Sequence, residues 1–170
     1  MALDVGRKTG FCIGRAGELP DSGSWVLRKP GDPNGLAIGE LARRMIELKG
    51  TYGKPDLIVC EHWLPPHQAK SAANVEDALR MNGCVNAVAG VWGVDVTEPY
   101  PATVRAQVCG KAHDKSGDGT KMLVVQNMIL RKLIPIDCVD NDRADAVCSW
   151  VWAEANFARV APAKFVLTGR

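Results

Sequence analysis

The sequence predicts an α/β fold in which a mixed β-sheet carries helices on both faces. Three observations lead to this class. The first thirty residues alternate short apolar runs with turn residues, a pattern typical of antiparallel strands. A short, continuously apolar run then follows an amphipathic segment, and longer helical patterns come after it. Antiparallel strands followed by strands that alternate with helices give a mixed sheet flanked by helices.

The N-terminal part contains three predicted antiparallel strands. Residues 2–6 form the first, GRKTG is a tight turn, and FCIG begins the second strand of a hairpin. The segment GSWVLRK is predicted as the third strand, before the loop PGDPNG. Asp4 places a carboxylate in the first strand. Burial of that carboxylate costs free energy unless it has a partner.

The middle of the chain alternates helices with strands. Apolar residues at helical spacing predict a helix over 36–48, which the two glycines of KGTYG end. Residues 57–60 are continuously apolar, so they are predicted as a strand buried on both faces, with Glu61 at its end. A long helix is predicted over about 71–92, and VDVTEPYP supplies a short strand and a turn.

The C-terminal part is predicted to be helical. A brief helix covers 102–109, the polar loop GKAHDKSGDG follows, and an amphipathic helix covers 120–133. A final helix starts near Asn141 and continues through ADAVCSWVWAEANFA. We find no linker that divides the chain. We therefore expect one domain over 1–158 and a C-terminal tail of unassigned role over 159–170.

The composition excludes several classes of protein. With 170 residues and 46% hydrophobic content, the chain can bury one core. No apolar run approaches the roughly 20 residues that cross a membrane, and the N-terminus lacks the regions of a secretory signal. We therefore expect a soluble, cytoplasmic protein. The six cysteines include no CxxC pair, which favours reduced structural thiols over a zinc or redox site.

Four carboxylates fall where the predicted fold can bring them together. Asp4 lies on the first strand, and Glu61 lies at the C-terminal end of a parallel strand, where sites of open α/β sheets gather. Asp142 and Asp145 are three residues apart and share one face of the final helix. If that helix packs across the first strand, the carboxylates repel each other strongly. A hard cation with oxygen ligands, Mg²⁺ or Mn²⁺, would relieve that repulsion.

Each carboxylate also has an ordinary structural explanation. Asp142 could interact with the helix dipole, and Glu61 could mark the solvent end of its strand. Asp4 could accept hydrogen bonds from the amides of the following turn. Asp145 is harder to explain in this way, because it precedes AVCSWVW on a helix that should be packed. The combination of the four supports a metal site.

Four segments, in order and spacing, resemble the motifs of RuvC-type Holliday junction resolvases. They are ALDVGRKTGFCIG, DLIVCEHW, PATVRAQVCGKA…TKMLVVQNMI and DNDRADAVCSWVWA, and they span about residues 2–157. The resemblance implies a ribonuclease H-like fold and a homodimer. It also implies a crossover junction endodeoxyribonuclease that resolves four-way DNA junctions by paired symmetrical nicks.

The same resemblance implies roles for particular residues. Those that would bind the catalytic metals, two ions in each active site, are Asp4, Glu61, Asp142 and Asp145. Lys121 matches the basic residue near the scissile phosphate, whereas the family commonly carries lysine at the position of Arg105. In a two-metal hydrolysis we expect Asp4 to bridge the ions, because its strand makes it rigid. Lys121 would offset charge on the phosphate.

DNA contacts are predicted from basic and aromatic residues. A net charge of +2 is too small to indicate nucleic-acid binding by itself. The candidate DNA-binding cations are Arg7, Lys8, Lys70, Arg80, Arg105, Lys111 and Lys115. Trp63, two residues after Glu61, could stack on an unpaired base or pack in the core. The segment EPYP is interpreted as a turn only.

Several alternatives stay open. A stripe of small and apolar residues on the long helix could pack in the core or form a two-fold dimer surface; its members are Ala72, Val75, Leu79, Gly83 and Ala87. A ribonuclease H-like nuclease acting on other branched or hybrid nucleic acids would use the same acidic set. A non-catalytic junction-binding module would not need negative charge beside phosphates. An actin-like phosphotransferase would need two lobes, for which the chain is too short.

Overall fold

The structure is a computed structural model that describes residues 1–29, 31–63, 72–113 and 119–158. Lys70, Lys115 and the predicted tail over 159–170 lie outside the described residues. The strands are β1 (Ala2–Asp4), β2 (Lys8–Ile13), β3 (Asp21–Val26), β4 (Leu57–Cys60) and β5 (Asp95–Thr97). The helices are α1 (Asn34–Tyr52), α2 (Ala72–Trp92), α3 (Pro101–Cys109), α4 (Gly119–Leu130) and α5 (Asn141–Phe157).

The five strands form one mixed sheet in the order β3-β2-β1-β4-β5. The pairs β3-β2 and β2-β1 are antiparallel, whereas β1-β4 and β4-β5 are parallel. The predicted fold class, with three antiparallel strands and then parallel ones, is therefore confirmed. Strand β1 lies at the centre of the sheet. Its first two residues are apolar and fully buried, which suits a strand covered on both faces.

Two hydrophobic cores cover the two faces of the sheet. Leu41 of α1 and Val85 of α2 pack with Ile58 of β4 on one face. Val124 of α4 and Val147 of α5 belong to the core on the opposite face. Full burial of each such side chain stabilises the fold by about 1.5–3 kcal/mol. The sheet thus separates a core made by α1 and α2 from a core made by α3, α4 and α5.

Strand β1 contributes to both cores in consecutive residues. Ala2 packs in the core beneath α5, and Leu3 packs in the core beneath α1 and α2. Because side chains alternate along a strand, Asp4 returns to the α5 side. Asp4 is half-buried at the end of the strand, where its carboxylate leaves the apolar core.

The first turn is shorter than the sequence predicts. The predicted strand over 2–6 ends at Asp4, and β2 begins at Lys8 instead of Phe11. The buried Thr9 hydroxyl explains the difference, since its Oγ1 donates to Gly6 O at 2.8 Å and accepts from Gly6 N at 3.1 Å. This side-chain turn closes the chain early. Lys8 is consequently a strand residue.

Two helix ends also differ from the prediction. Helix α1 continues through Gly50 and ends before Gly53, whose φ of 87° breaks the helix while its N–H bonds Lys49 O. Helix α4 ends at Leu130 and not at 133. The reason is Lys132, which adopts a left-handed φ of 59° and donates its N–H to Ile129 O. The amphipathic pattern predicted over 120–133 places Met122 on the apolar side of this helix with Val125 and Met128, but Met122 is exposed.

The predicted stripe on α2 is mostly exposed. Of its five residues, only Val75 is buried, and Leu79 is 45% exposed. The side of α2 that packs in the core carries Met81, Val85 and Ala89 instead. The interpretation of the stripe as core is therefore wrong, and its role as a dimer surface stays a prediction.

The remaining general expectations concern thiols and membranes. All six cysteines are free thiols, as the absence of paired spacing predicts. In the part of the chain that the structure describes, no helix has the length and apolarity to cross a bilayer.

Candidate active site

Asp4 and Glu61 lie side by side because two parallel strands end together. Leu3 pairs with Cys60 across β1 and β4. The N–H of Glu61 donates to Leu3 O at 3.2 Å, so the register continues one residue beyond β4. The two carboxylates therefore occupy the C-terminal edge of the parallel strands, as predicted.

Gly10 allows α5 to approach the same edge. Asp4 pairs with Gly10 across β1 and β2. A Cβ atom added at Gly10 would lie 1.8 Å from the carbonyl oxygen of Asp142. Only glycine leaves room for the first turn of α5 to rest on β2 at this point. That close contact brings Asp142 and Asp145 to the side of Asp4.

The pKa values of Asp4 and Asp145 respond to the charges of the other carboxylates. The pKa of Asp4 is raised well above its usual value by desolvation, then by the charges of Glu61 and Asp145 and also by Asp142. Burial raises the pKa of Asp145 to about 6, and the charge of Glu61 adds to this effect although Arg105 opposes it. The site thus concentrates more negative charge than its surroundings neutralise.

Arg105 is the cation that lies within this acidic cluster. Its Nη2 atom is 3.8 Å from Glu61 Oε1 and 3.5 Å from Asp145 Oδ1. Its side chain is only 20% exposed. Both distances are longer than a typical hydrogen bond. Arg105 therefore offsets part of the negative charge and leaves the carboxylate oxygens able to accept other partners. The sequence predicts a DNA contact for Arg105, and the structure places it among the candidate metal ligands.

Asp140 holds the first turn of α5 against the sheet, and sequence reasoning missed it. As N-cap of α5, its carboxylate accepts from the Arg143 N–H at 3.2 Å. It also accepts from Lys8 Nζ at 2.6 Å and from Ser24 Oγ at 2.5 Å. Burial raises the pKa of Asp140, but these hydrogen bonds lower it overall. An aspartate just before a helix is an N-cap signal, which could have identified this residue.

Comparison with known proteins gives structural matches only. No family model and no curated protein sequence matches this chain. The structure of Thermus thermophilus RuvC in complex with Holliday junction substrate has 16% identity, a TM-score of 0.65, and coverage of 91% of this chain and 93% of that chain. A second structure of Thermus thermophilus RuvC has 19% identity, a TM-score of 0.58, and coverage of 91% and 94%. This chain has the RuvC-type fold.

The RuvC-type fold is ribonuclease H-like, in agreement with the sheet order described above. It accounts for nearly the whole described chain, because the match covers about nine tenths of both proteins. At these identities the similarity concerns the fold.

The predicted basic residues are spread around the RuvC-type fold. Lys8 is used in ion pairs with Asp140 and with Asp142, the latter at 3.3 Å. Arg7 is exposed and lies 3.9 Å from Asp77. The other predicted cations within the described residues, Arg80, Lys111 and Lys121, are exposed on the surface. Within the described ranges, Lys121 makes no ion pair with a carboxylate, so its approach to the site stays a prediction.

Aromatic rings follow Glu61 directly. Trp63 is half-buried, which agrees neither with a full core position nor with a free surface ring. Its ring stacks on His62 at 5.4 Å between centroids, and His62 meets Tyr100 at 4.4 Å. Tyr100 belongs to EPYP, for which the sequence predicts only a turn. An exposed aromatic beside a proline is a weak signal from sequence alone.

The acidic cluster suits a divalent cation by its chemistry. In the described ranges, no group of three or more acidic, histidine or cysteine side chains is placed closely enough to hold a metal ion as the side chains stand. Nevertheless, Arg105 lies near Glu61 and Asp145, and burial, followed by the charges of the neighbouring carboxylates, raises the pKa of Asp4. Oxygen donors with unbalanced negative charge are the ligands that Mg²⁺ and Mn²⁺ prefer. The residues present therefore fit the expected ion.

Proposed function

We propose that this protein is a metal-dependent, structure-selective endodeoxyribonuclease that resolves four-way DNA junctions. The observation that carries the proposal is the convergence of Asp4, Glu61, Asp142 and Asp145 at one edge of a RuvC-type sheet. The similar RuvC structure is a complex with a Holliday junction substrate, which supports branched DNA as the substrate class. A protein that only binds DNA would lose affinity from negative charge beside phosphates.

The four carboxylates would hold two Mg²⁺ ions, or Mn²⁺ as a substitute. When bound, such ions activate a water for attack on the phosphodiester and stabilise the leaving 3′-oxygen. Asp4 is the best candidate for the ligand shared by both ions, since β1 is hydrogen-bonded on both sides. Glu61 would complete one ion's ligands, and the two aspartates of α5 would complete the other's.

Positive side chains would orient the phosphate. Arg105 lies within the cluster, 3.5 Å from Asp145, and its partly exposed guanidinium can bind a phosphate oxygen. Lys121 lies on the first turn of α4, and its exposed ammonium is free to offset charge on the transition-state phosphate. Arg7, Arg80 and Lys111 would contact the backbone of the DNA arms.

Paired symmetrical nicks require two active sites, and we propose a homodimer for this reason. The exposed face of α2 supports this assembly. It presents Leu79, which is 45% exposed, and Val91, which is 85% exposed, beside the small residues Gly83 and Ala87. Small residues on a helix let a second helix approach closely.

A cleavage assay tests the proposal. A labelled synthetic four-way junction is compared with a linear duplex of the same sequence, in Mg²⁺ and in chelator. Paired nicks in the junction alone, dependent on metal, are expected. Equal cleavage of both DNAs would instead indicate a broader ribonuclease H-like nuclease. Tight junction binding without cleavage in Mg²⁺ or Mn²⁺ would overturn the catalytic assignment and favour a binding module.

A further inference from the structure

A buried asparagine lies against the end of β4. Asn82 is on the side of α2 that packs in the core, and only 4% of the residue is exposed. Met81 and Val85, which share this side of the helix, are apolar core residues. An apolar side chain would fill the position without the free-energy cost of burying an amide. An amide here therefore needs hydrogen-bond partners that an apolar residue could not serve.

The partners of Asn82 are the last residue of β4 and the candidate metal ligand that follows it. The Nδ2 atom of Asn82 donates to the main-chain carbonyl oxygen of Glu61 at 3.3 Å. Its Oδ1 atom accepts from Cys60 Sγ at 3.0 Å, and Cys60 is fully buried. Both ends of the Asn82 amide are thus used at one point of the chain, directly behind the acidic cluster.

The contact with Asn82 holds a peptide group that helps to set the direction of the Glu61 side chain. The peptide group before Glu61 is held by β1, because the Glu61 N–H donates to Leu3 O at 3.2 Å. Strand β4 ends one residue earlier, and the peptide group after Glu61 has two other partners. Asn82 bonds its carbonyl oxygen, and its N–H, that of His62, donates to Pro99 O at 3.0 Å. Peptide groups fixed on both sides of a residue fix its φ and ψ, and with them its Cα–Cβ bond.

We infer that Asn82 is a positioning residue that holds Glu61 in place for metal binding. The inference rests on the proposed function and deepens it, because it names a residue on which the metal affinity depends. Asn82 would act through the main chain of Glu61 and would contact neither an ion nor DNA. Residues that orient a metal ligand commonly contribute about 10- to 100-fold to metal affinity.

Substitution of Asn82 by leucine tests this role. Asn82→Leu removes both hydrogen bonds and keeps a branched side chain of similar shape. We expect Mn²⁺ to bind the DNA-free protein about 10- to 100-fold more weakly, as measured by isothermal titration calorimetry. The Mg²⁺ concentration that gives half the maximal single-turnover rate on a four-way junction should rise by the same factor. Junction affinity, measured by fluorescence anisotropy in chelator, should stay the same because Asn82 is buried.

A matched control separates positioning from a general loss of stability. Val85 is fully buried on the same side of α2. Val85→Ala leaves a cavity there, so it should lower the melting temperature without changing the Mn²⁺ affinity or the Mg²⁺ dependence of cleavage. If Asn82→Leu does not fold, Asn82→Ala, which adds no atoms to the core, provides the same comparison.

The outcomes distinguish this inference from the proposed function. A folded Asn82 variant that binds Mn²⁺ like the wild type would overturn the positioning role and leave the nuclease assignment intact. An equal loss of Mn²⁺ affinity in Val85→Ala would also overturn it, since the effect would then come from stability alone. Absence of both Mn²⁺ binding and junction cleavage in the wild-type protein would overturn the proposed function together with this inference.

Discussion

Substitution of Gly10 by alanine tests how the site is assembled. The added Cβ would lie 1.8 Å from the carbonyl oxygen of Asp142, whereas ordinary van der Waals contact begins at about 3.4 Å. The first turn of α5 must therefore move by about 1.5 Å or the sheet must deform. We expect a loss of about 1–3 kcal/mol in the free energy of unfolding, as for other overpacked positions.

Cleavage should suffer more than stability, because the displaced turn carries Asp142 and Asp145. A misplacement of about 1 Å commonly costs on the order of 100-fold in rate. Urea unfolding measures the first effect, and single-turnover cleavage of a four-way junction measures the second. The matched control is Gly39→Ala on α1, where no atom lies within 4 Å of the added Cβ. That variant should gain up to about 1 kcal/mol and cleave normally.

The result that refutes this reasoning is specific. If Gly10→Ala unfolds and cleaves like the wild type, then α5 does not rest on β2 as described. In that case the convergence of the four carboxylates would need another explanation.

Four further predictions follow from the same site. Asp145→Asn should abolish cleavage and leave junction binding largely intact, because it removes a metal ligand and not the DNA surface; full activity would reject the ligand assignment. Lys121→Ala should slow single-turnover cleavage more than it weakens anisotropy-measured binding, whereas a loss confined to affinity would make Lys121 a phosphate-positioning residue. Asp140→Ala should lower the free energy of unfolding by about 1–2 kcal/mol, because α5 loses its N-cap. Cleavage should fall as well, and Asp140→Asn, which can still cap the helix, should partly restore it. Identical defects in both variants would contradict the capping role. In metal-free protein, the raised pKa of Asp145, about 6, means that the folded state binds a proton more tightly than the unfolded state. Its contribution to stability should therefore fall as pH rises from about 4 through 6, by up to roughly 3 kcal/mol. The difference in urea-unfolding free energy between Asp145→Asn and wild type should grow over that range and shrink when Mg²⁺ is added; a difference independent of pH would reject the raised pKa.

The strands, and the positions of the four carboxylates at one edge of the sheet, can be predicted from sequence because each carries a direct physical signal. Residues 57–60 are predicted and observed as a strand, since a short apolar run bounded by polar residues has few other solutions. Asp4 and Glu61 interrupt or end such runs, and Asp142 and Asp145 share a helix face. In each case a charge stands where burial makes it costly.

The missed features depend on contacts between distant parts of the chain. Asp140 gains its importance from Lys8 and Ser24, which are 132 and 116 residues away along the chain. The buried side of α2 could not be read because small and apolar residues occur all around that helix. Val85 and Ala87, for example, are equally compatible with a core position, yet only Val85 is buried. Periodicity cannot select a face when both faces are apolar.

The three residues of β1 face three different environments. The number of residues in this strand therefore matters more than the exact size of its apolar side chains. Ala2, Leu3 and Asp4 face one core, the other core and the acidic cluster in turn. A conservative replacement at Leu3 would disturb one core only. An inserted or deleted residue within β1 would instead exchange the two faces of the strand, and turn the carboxylate toward α1 and α2. Genetic variation at this strand should therefore tolerate conservative substitutions of Leu3 better than insertions or deletions.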